Sequence, residues 1–397
     1  MKDVFIYDAI RSPRGRAKDN GALHDLTPQE LLLQLYEALA RRCALDPSEV
    51  GEVILGCVTQ HGEQAGNIAR TSTLFAGWPE NINGLTINRF CASGIDAISL
   101  AALKIGAGQE QAIVAGGVEM MSRVPLLADD PRVFTDPALS AQCQMFLMGS
   151  GADLVASLEG ISREEADAQA LRSQQRAERA RAEGRFASVV PIDNPVSGLL
   201  VDQDECIRSD LTARQLAALP PAVSELGADA AQLAAYPQLR EISHIHTAGN
   251  SPALCDGAAL VLLGDAGMAA NLGRPPRARI VGSSAACAEP MQVLTGCIAA
   301  TQRLLREQHR SVQDVDLFEI HEAFAATMIK AERELGLGDD KLNPNGGVIA
   351  LGHPMGATGA IMAGTLLDEL ERRDVATGVV AASGAAGSGA ALLLERV

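Results

Sequence analysis

The sequence is poor in aromatic residues, which make up only 3% of its 397 positions. It has no apolar stretch long enough to cross a bilayer, and it enters a strand at its first residues without a hydrophobic leader. Its formal net charge is −16, which argues against nucleic acid and anionic membrane surfaces as partners. We therefore expect a cytoplasmic protein, and an anionic small molecule stays compatible with this charge because helix N-termini and local arginines bind phosphates.

Cysteine pairs at a spacing typical of disulfide frameworks or metal sites are also missing. The eight cysteines are irregularly spaced, at Cys43, Cys57, Cys91, Cys143, Cys206, Cys255, Cys287 and Cys297. This pattern favours reduced thiols, and no metal site is expected because no histidine or cysteine pair falls at ligand spacing. The glycine-rich segments form no GxGxxG fingerprint at a first βαβ unit, so a nucleotide-dependent redox function is weakly supported.

What the chain does contain is a strand, a tight turn and a helix between Gly84 and Gly108. Leu85–Asn88 reads as the strand and Ile95–Ile105 as the helix, whose apolar residues recur at helical spacing. Cys91 lies in the turn among small residues. A cysteine at a helix N-terminus meets free N–H groups and the positive end of the helix dipole, which favour a thiolate. A buried structural cysteine is the alternative interpretation.

The order of segments indicates two similar halves around an insertion. The segment 81–108 parallels 341–371, and 46–58 parallels 311–324, each with the same order of polar cap, strand and loop or of turn and apolar helix. Such repetition predicts an α/β fold with two pseudo-symmetric βαβ-rich halves. In between, periodic strands largely disappear, and the many charges of Arg163–Glu183 predict a helix with a solvated face.

We accordingly predict a first core half at 1–123, an inserted loop domain at 124–247, a return to the first half at 248–273, and a second core half at 274–397.

Two histidines in glycine-rich turns of the second half are candidates to activate the cysteine. His321 lies in HEAF, and His353 lies between glycine and proline in GHP. A cysteine needs a base or a cation to act as a nucleophile at neutral pH, and backbone N–H groups of glycine-rich turns can stabilise an oxyanion. A lone histidine is more often structural, so this alternative stays open on the residues alone.

Together these motifs resemble the thiolase family, that is, acetyl-CoA acetyltransferases and 3-ketoacyl-CoA thiolases. The resemblance covers almost the whole chain and keeps the order of its motifs, which are DAIRSPRGR, EQAGNIAR, NRFCASG, GGVEMMSR, ISREEADAQALRSQQRA, TAGNS, DGAA, HEAF and NPNGGVIALGHPMGATGA. It implies a five-layered αβαβα fold with two similar core domains and a loop domain that covers the cofactor. It also implies an acyltransferase with a ping-pong reaction, which cleaves a 3-ketoacyl-CoA with CoA or runs the reverse condensation.

The resemblance also implies roles for individual residues. Cys91 matches the nucleophile that takes up the acyl group, and His353 matches the residue that activates it and points into the first oxyanion hole. His321 matches a position, Asn in many members, that supports the hole for the thioester oxygen of the second substrate. The second hole would use the backbone N–H groups of Cys91 and Ala385.

Coenzyme A would be bound as a substrate, with no permanent cofactor. Its predicted site is formed by Arg208 and by Ala248, Ser251 and Leu254 of the loop after the insertion, with Met148 near the acyl end. The family implies a homodimer or homotetramer, and association with a β-oxidation partner subunit is a further option.

Two positions depart from the family pattern. Pro252 stands where the family usually has a small hydroxyl residue that contacts the pantetheine of CoA, and the other departure is Ser383. Ser383 stands where the last glycine-rich loop carries a second catalytic cysteine, which moves the proton on the α-carbon of the acetyl unit. A serine hydroxyl is a much weaker acid than a thiol, so this proton transfer is expected to be slowed or altered. Two alternatives therefore stay open: a transferase that passes the Cys91 acyl group to a nucleophile other than CoA, or a catalytically weak thiolase-like subunit.

Overall fold

The computed structural model describes residues 2–225 and 227–397. Within these residues the strands are β1 (Phe5–Arg11), β2 (Gly15–Arg16), β3 (Glu52–Gly56), β4 (Asn83–Ile87), β5 (Ala112–Met120), β6 (Ile192–Asn194), β7 (Leu199–Val201), β8 (Cys255–Gly264), β9 (Ala278–Cys287), β10 (Leu317–Ile320), β11 (Thr377–Ser383) and β12 (Ser388–Arg396). The helices are α1 (Pro28–Cys43), α2 (Ile68–Phe75), α3 (Ser93–Gly106), α4 (Arg132–Thr135), α5 (Pro137–Cys143), α6 (Met148–Glu159), α7 (Arg163–Ala182), α8 (Ala213–Ala217), α9 (Asp229–Ala235), α10 (Met268–Leu272), α11 (Gly296–Glu307), α12 (Ala325–Leu335), α13 (Val348–Leu351) and α14 (Met355–Arg373). None of the helices described is long and apolar enough to cross a membrane.

The strands of the core form one mixed sheet in the order β10-β11-β12-β9-β1-β8-β5-β3-β4, and β2 pairs with β8 off this path. In the first half β3 is parallel to β4 and β5, and β8 is antiparallel to β5 and β1. In the second half β10 is parallel to β11, and β12 is antiparallel to β11 and β9. A single parallel bridge between Phe318 and Leu342 stands where the first half has β4. Both halves therefore use one strand arrangement, and they meet where β1 pairs with β9.

Helices cover both faces of each half and create five layers. α3 and α14 lie in the middle, where their apolar faces pack against residues from both halves of the sheet. α1 covers the outer face of the first half, and α11 and α12 cover the outer face of the second half. The resulting αβαβα order confirms the predicted fold class.

Glycines allow the two central helices to cross at very short range. A Cβ atom added at Gly94 of α3 would lie 2.6 Å from the backbone nitrogen of Ala360 in α14, and one added at Gly359 would lie 2.6 Å from that of Ile95. Backbones can approach this closely only where no side chain intervenes. Because the crossing lies near both helix N-termini, it brings the turn before α3 next to the turn before α14.

β5 runs through a glycine pair at 116–117 and continues to Met120. A Cβ atom at Gly116 would lie 1.9 Å from the carbonyl oxygen of Ala259, and one at Gly117 would lie 2.2 Å from that of Gly356. These glycines therefore serve close packing between β5, β8 and α14 and do not form a turn.

The segment between β5 and β8 is mostly helical, with a short hairpin of β6 and β7. The solvated face predicted for Arg163–Glu183 holds most of the charged residues of α7. Its other face, which the sequence analysis did not predict, buries small and polar residues such as Asp167, Gln169 and Ser173 against α12 and α13. This difference matters because the buried polar residues support the site described next.

Candidate active site

Cys91 lies in a tight turn between β4 and α3. Phe90 adopts the left-handed conformation, with φ of 50°, which a residue with a Cβ rarely adopts. Two side chains hold the turn: Asn88 Oδ1 accepts a hydrogen bond from the Phe90 N–H at 2.7 Å, and Ser93 Oγ accepts one from the Arg89 N–H at 2.8 Å. Backbone strain of this kind persists where surrounding contacts impose it, often at functional sites.

His353 of the second half contacts Cys91 directly. Its Nε2 atom lies 3.1 Å from Cys91 Sγ, and its Nδ1 atom lies 2.7 Å from Thr358 Oγ1. All three side chains are buried. When Nδ1 carries the ring proton and donates it to Thr358, Nε2 is free to accept the proton of the thiol. The geometry is that of a nucleophile, a base and a group that orients the base.

The resting pair is neutral, contrary to the expectation that the turn favours a thiolate. Burial, and then the nearby carboxylate of Glu119, raise the pKa of Cys91 to about 12. Burial, followed by the neighbouring His321, lowers the pKa of His353 well below its ordinary value. Desolvation therefore outweighs the helix dipole and favours the neutral forms of both side chains.

Glu119, at the end of β5, fixes the surroundings of the nucleophile. Its carboxylate accepts backbone hydrogen bonds from Val58 and Thr59, at 2.9 and 3.0 Å, and from Gly356 near the N-terminus of α14, at 3.0 Å. One carboxylate thus ties the loop after β3 to the helix that follows His353. Its burial raises its pKa, although these three hydrogen bonds oppose that shift.

His321 lies beside His353 with unused hydrogen-bonding capacity. The two ring centroids are 4.5 Å apart. Both ring nitrogens of His321 are buried and make no hydrogen bond with the residues that the structure describes. Burial lowers the pKa of His321 to about 4, and the nearby backbone of Ser383 opposes this shift only in part. A neutral ring with an unpaired N–H group is suited to donate a hydrogen bond to a substrate oxygen.

The residue after His321 anchors this loop to α7. Glu322 accepts hydrogen bonds from Ser173 Oγ at 2.7 Å, from Gln169 Nε2 at 3.1 Å and from the Ile349 N–H at 3.2 Å. The buried face of α7 therefore supports the HEAF loop through polar contacts. These buried contacts hold the His321 loop in a defined orientation.

Two predicted site residues lie in the last glycine-rich loop or next to it. Ala385 lies at the space next to Cys91, and Ser383 does not. Ala385 lines the cavity that Cys91 opens into. Ser383 is fully buried, and its Oγ atom accepts a hydrogen bond from the Cys297 N–H at the start of α11, at 3.0 Å. Ser383 does not line the cavity within the part of the chain that the structure describes. Its predicted role in proton transfer stays a prediction.

Of the residues predicted for CoA, Leu254 lies next to His353, with which it forms a parallel bridge. The His353 N–H donates to the carbonyl oxygen of Ala253 at 2.8 Å, and Leu254, next to it, is 42% exposed. Ala248 is exposed on the same loop, and the buried hydroxyl of Ser251 makes no hydrogen bond with described residues. Arg208 is half-buried and forms no ion pair among the residues described. The loop therefore offers a free hydroxyl and an exposed surface beside the histidine.

Cys91 itself opens into a cavity of about 220 Å³. Met148, predicted near the acyl end, lines this cavity together with Phe90 and Ala385. The other residues predicted for CoA, which are Arg208, Ala248, Ser251 and Leu254, do not line it. The sulfur of Cys91 therefore lies between two regions. The loop at Ala253 is on the side of His353, and the mostly apolar cavity is on the other side.

Sequence analysis missed three residues of the site. The left-handed Phe90 has no sequence signal of its own, because glycine, asparagine or aspartate are the residues typical of this conformation. Thr358 follows His353 within the motif GHPMGATG, where its polarity in an otherwise apolar helix start is a usable signal. Glu119 is the only acid in the glycine-rich segment AIVAGGVEMM, which again could have marked it as a buried, functional carboxylate.

A buried cysteine and histidine in contact, on a pseudo-symmetric α/β fold, are an arrangement suited to an enzyme that carries a reacting group on a cysteine. Residues 4–266 match the family model described as "Thiolase, N-terminal domain", and residues 274–396 match "Thiolase, C-terminal domain". The chain therefore belongs to the thiolase family, and it is an acyltransferase of thiolase type.

Similar proteins extend over the full length. The chain is 39% identical to the 3-oxoadipyl-CoA/3-oxo-5,6-dehydrosuberyl-CoA thiolase of Escherichia coli K12 over 420 residues, and 38% identical to a 3-ketoacyl-CoA thiolase of Colwellia psychrerythraea over 406 residues. Both comparisons cover 100% of each chain. The crystal structure of the Bacillus anthracis acetyl-CoA acetyltransferase superposes with a TM-score of 0.88 at 36% identity, and covers 100% of this chain and 99% of that one.

Proposed function

We propose that the protein cleaves a 3-ketoacyl-CoA with CoA, or runs the reverse condensation, through an acyl group carried on Cys91. The observation that carries this proposal is the 3.1 Å contact between Cys91 Sγ and His353 Nε2. A buried neutral thiol next to a neutral imidazole can form a nucleophile at the moment of reaction. The names of the relatives are consistent with this chemistry, since both are called thiolases.

In the first half-reaction, His353 Nε2 accepts the proton of Cys91 as the sulfur attacks the 3-keto carbonyl. The bond between the second and third carbons of the substrate then breaks. The acyl group stays on sulfur as a thioester, and acetyl-CoA leaves as its enolate, which takes a proton at the second carbon. The family assigns this proton to the position that Ser383 occupies, so Ser383 or a water molecule held there would have to supply it.

In the second half-reaction, the thiol of CoA attacks the thioester on Cys91. Because His353 still holds the proton of Cys91, the proton of CoA passes to the Ser383 hydroxyl or the water that gave its proton to the enolate. Cys91 then leaves and takes its own proton back from His353. Negative charge develops on a different substrate oxygen in each of the two half-reactions, and each oxygen needs its own hydrogen-bond donors. We assign one site to the ring N–H groups of His321 and His353 and the other to the backbone N–H groups of Cys91 and Ala385.

The finer assignments rest on the same proposal. The free hydroxyl of Ser251 and the exposed Ala248 and Leu254 support a CoA path along this loop, with Arg208 as its cationic neighbour. CoA would enter as a substrate. A homo-oligomeric state, association with a β-oxidation subunit and a cytoplasmic location remain predictions of the sequence.

The test combines turnover with detection of the intermediate. Wild type should convert 3-oxohexanoyl-CoA and CoA into acetyl-CoA and butyryl-CoA, and mass spectrometry should locate a butyryl adduct on Cys91. Cys91→Ala should abolish both. Cys143→Ala is the control, because Cys143 is exposed and lies outside the site. The proposal is overturned if Cys91→Ala still turns over or if no adduct forms on Cys91.

Ser383 favours a second candidate function. Its hydroxyl is engaged with the N-terminus of α11, and a reaction that moves an acyl group to a nucleophile other than CoA needs no proton transfer at the α-carbon. This candidate predicts that acyl-CoA compounds acylate Cys91 while 3-ketoacyl-CoA compounds are not cleaved.

A further inference from the structure

The cavity at Cys91 is lined mostly by apolar side chains, with Thr59, Asn88 and Asp129 as the polar ones among the described residues besides Cys91. Beyond the turn and the glycine-rich loop, its apolar lining comes from the insertion and from the start of α14, namely Leu126, Leu127, Val133, Phe134, Met145 and Met355. Methionine side chains are flexible and adapt to irregular apolar ligands. Such a surface stabilises a hydrocarbon chain, because burying apolar groups removes them from water.

The charge in this cavity has one sign. Among the described residues that line it, Asp129 is the only ionisable side chain apart from the Cys91 thiol, and it is exposed, which puts its carboxylate at the mouth. The nearest arginine along the chain, Arg132, forms an ion pair with Asp136 at 2.8 Å and does not line the cavity. A second carboxylate entering this space would lose water, gain no cationic partner and meet a like charge.

The position of the cavity relative to the CoA loop indicates which part of a substrate it holds. The loop ending at Leu254 reaches His353, whereas the apolar cavity begins at Cys91 and leads away towards the insertion. If the thioester forms on Cys91, as proposed above, CoA occupies the side of the loop and the acyl chain occupies the cavity.

We propose that this enzyme selects acyl groups that are apolar and uncharged at their far end, and rejects acyl groups that end in a carboxylate. This inference deepens the proposed function and rests on it. It also separates this chain from the relative of Escherichia coli, which is named for 3-oxoadipyl-CoA. The adipyl group ends in a carboxylate, so the shared family does not imply a shared substrate.

The test compares two acyl donors of equal chain length that differ only in their terminal group. Hexanoyl-CoA and adipyl-CoA are each incubated with the full-length protein, and the acylation rate of Cys91 is followed by mass spectrometry. In this step the sulfur attacks the thioester carbonyl, and CoA leaves with the proton released by Cys91. We expect adipyl transfer to be slower by about 30-fold or more, because the described lining of the cavity offers the buried carboxylate no cationic partner.

Variants at the mouth test the electrostatic part. Asp129→Asn removes the like charge and should raise adipyl transfer by about threefold relative to hexanoyl transfer, and Asp129→Lys should raise it further. High salt should reduce this difference between wild type and Asp129→Asn, since screening acts on exposed charges. Asp130→Asn is the matched control: Asp130 is the adjacent exposed acid, it does not line the cavity, and its replacement should leave the ratio unchanged.

Each outcome decides the inference. Preference for hexanoyl transfer supports it even if 3-ketoacyl-CoA compounds are not cleaved, so the proposed thiolysis can fail separately. Equal rates for the two donors, or a preference for adipyl-CoA, would overturn it. It is also overturned if neither donor acylates Cys91, because the cavity then does not hold an acyl chain.

Discussion

Replacement of Thr358 by valine should slow the enzyme without disturbing its fold. Thr358 Oγ1 lies 2.7 Å from His353 Nδ1, and both side chains are buried. Valine has nearly the same shape, so the packing of α14 is retained. In the proposed mechanism, however, the hydroxyl is the acceptor that keeps the proton on Nδ1 and leaves Nε2 free to accept the thiol proton.

The expected loss of activity follows from the Nδ1–H group of His353, which has no acceptor in the Thr358→Val variant. A buried N–H that loses its acceptor costs about 1–3 kcal/mol, which corresponds to about 5- to 150-fold in kcat/KM. The alternative is a change of tautomer, which places the ring proton on Nε2 and blocks proton transfer from Cys91. Both routes lower the rate of acylation, and a merely structural role of Thr358 predicts neither.

The assay measures the acylation rate of Cys91 and kcat/KM for thiolysis, with unfolding curves for each variant. Thr358→Ser should restore most of the activity because it restores the hydroxyl. Thr365→Val is the matched control, since Thr365 is also buried in α14 but donates to the carbonyl oxygen of Ile361 in its own helix, at 3.1 Å. If Thr358→Val is no slower than Thr365→Val, the orienting role of Thr358 is refuted.

Three further predictions concern other positions. Ser383→Cys should raise kcat for thiolysis by about 10- to 100-fold while acylation of Cys91 stays the same, and an unchanged kcat would mean that proton transfer at this position does not limit the rate. His321→Asn should make stability less dependent on pH. Since the pKa of His321 falls to about 4 in the folded state, wild type loses stability as pH drops from about 6.5 to about 4, by up to about 3 kcal/mol from this group, and urea unfolding at several pH values should show a shallower loss in the variant. An equally steep loss would contradict the assignment. Gly94→Ala should lower the free energy of unfolding by about 1–3 kcal/mol, because its Cβ would clash with α14. The control is Gly338→Ala, whose Cβ would meet only Asp340 Oδ1 at 3.2 Å and which should have little effect on the same unfolding curves.

The local features of the fold were accessible from the sequence because they depend on neighbouring residues. The strand and the helix on either side of Cys91 lie close to their predicted bounds, as β4 (Asn83–Ile87) and α3 (Ser93–Gly106). The repeated order of strand, turn and helix also predicted two similar halves. Turn residues and apolar periodicity carry this information within a few positions of where it is used.

Burial and electrostatics at the site were not accessible in the same way. The pKa of Cys91 depends on how deeply α3 and α14 bury it and on Glu119, which lies in a different strand. The helix N-terminus was visible in the sequence and suggested a thiolate, whereas the desolvation that reverses this suggestion arises only from packing of both halves. The buried face of α7 was hidden for the same reason, because its polar residues find their partners in the loops around Glu322 and Asn250.

The position of β8 has a consequence for how the chain is made. β8 lies between β5 and β1, and it pairs Leu263 with Ile6 at the start of the chain. During synthesis β1 and β5 therefore emerge from the ribosome long before β8, which pairs with both. The edges of β1 and β5 that face β8 stay unpaired until residues 255–264 have emerged. Pairing across such a separation is slow, since a large loop must close first. The first half to be translated is consequently completed late, and the nascent chain is exposed to aggregation until then.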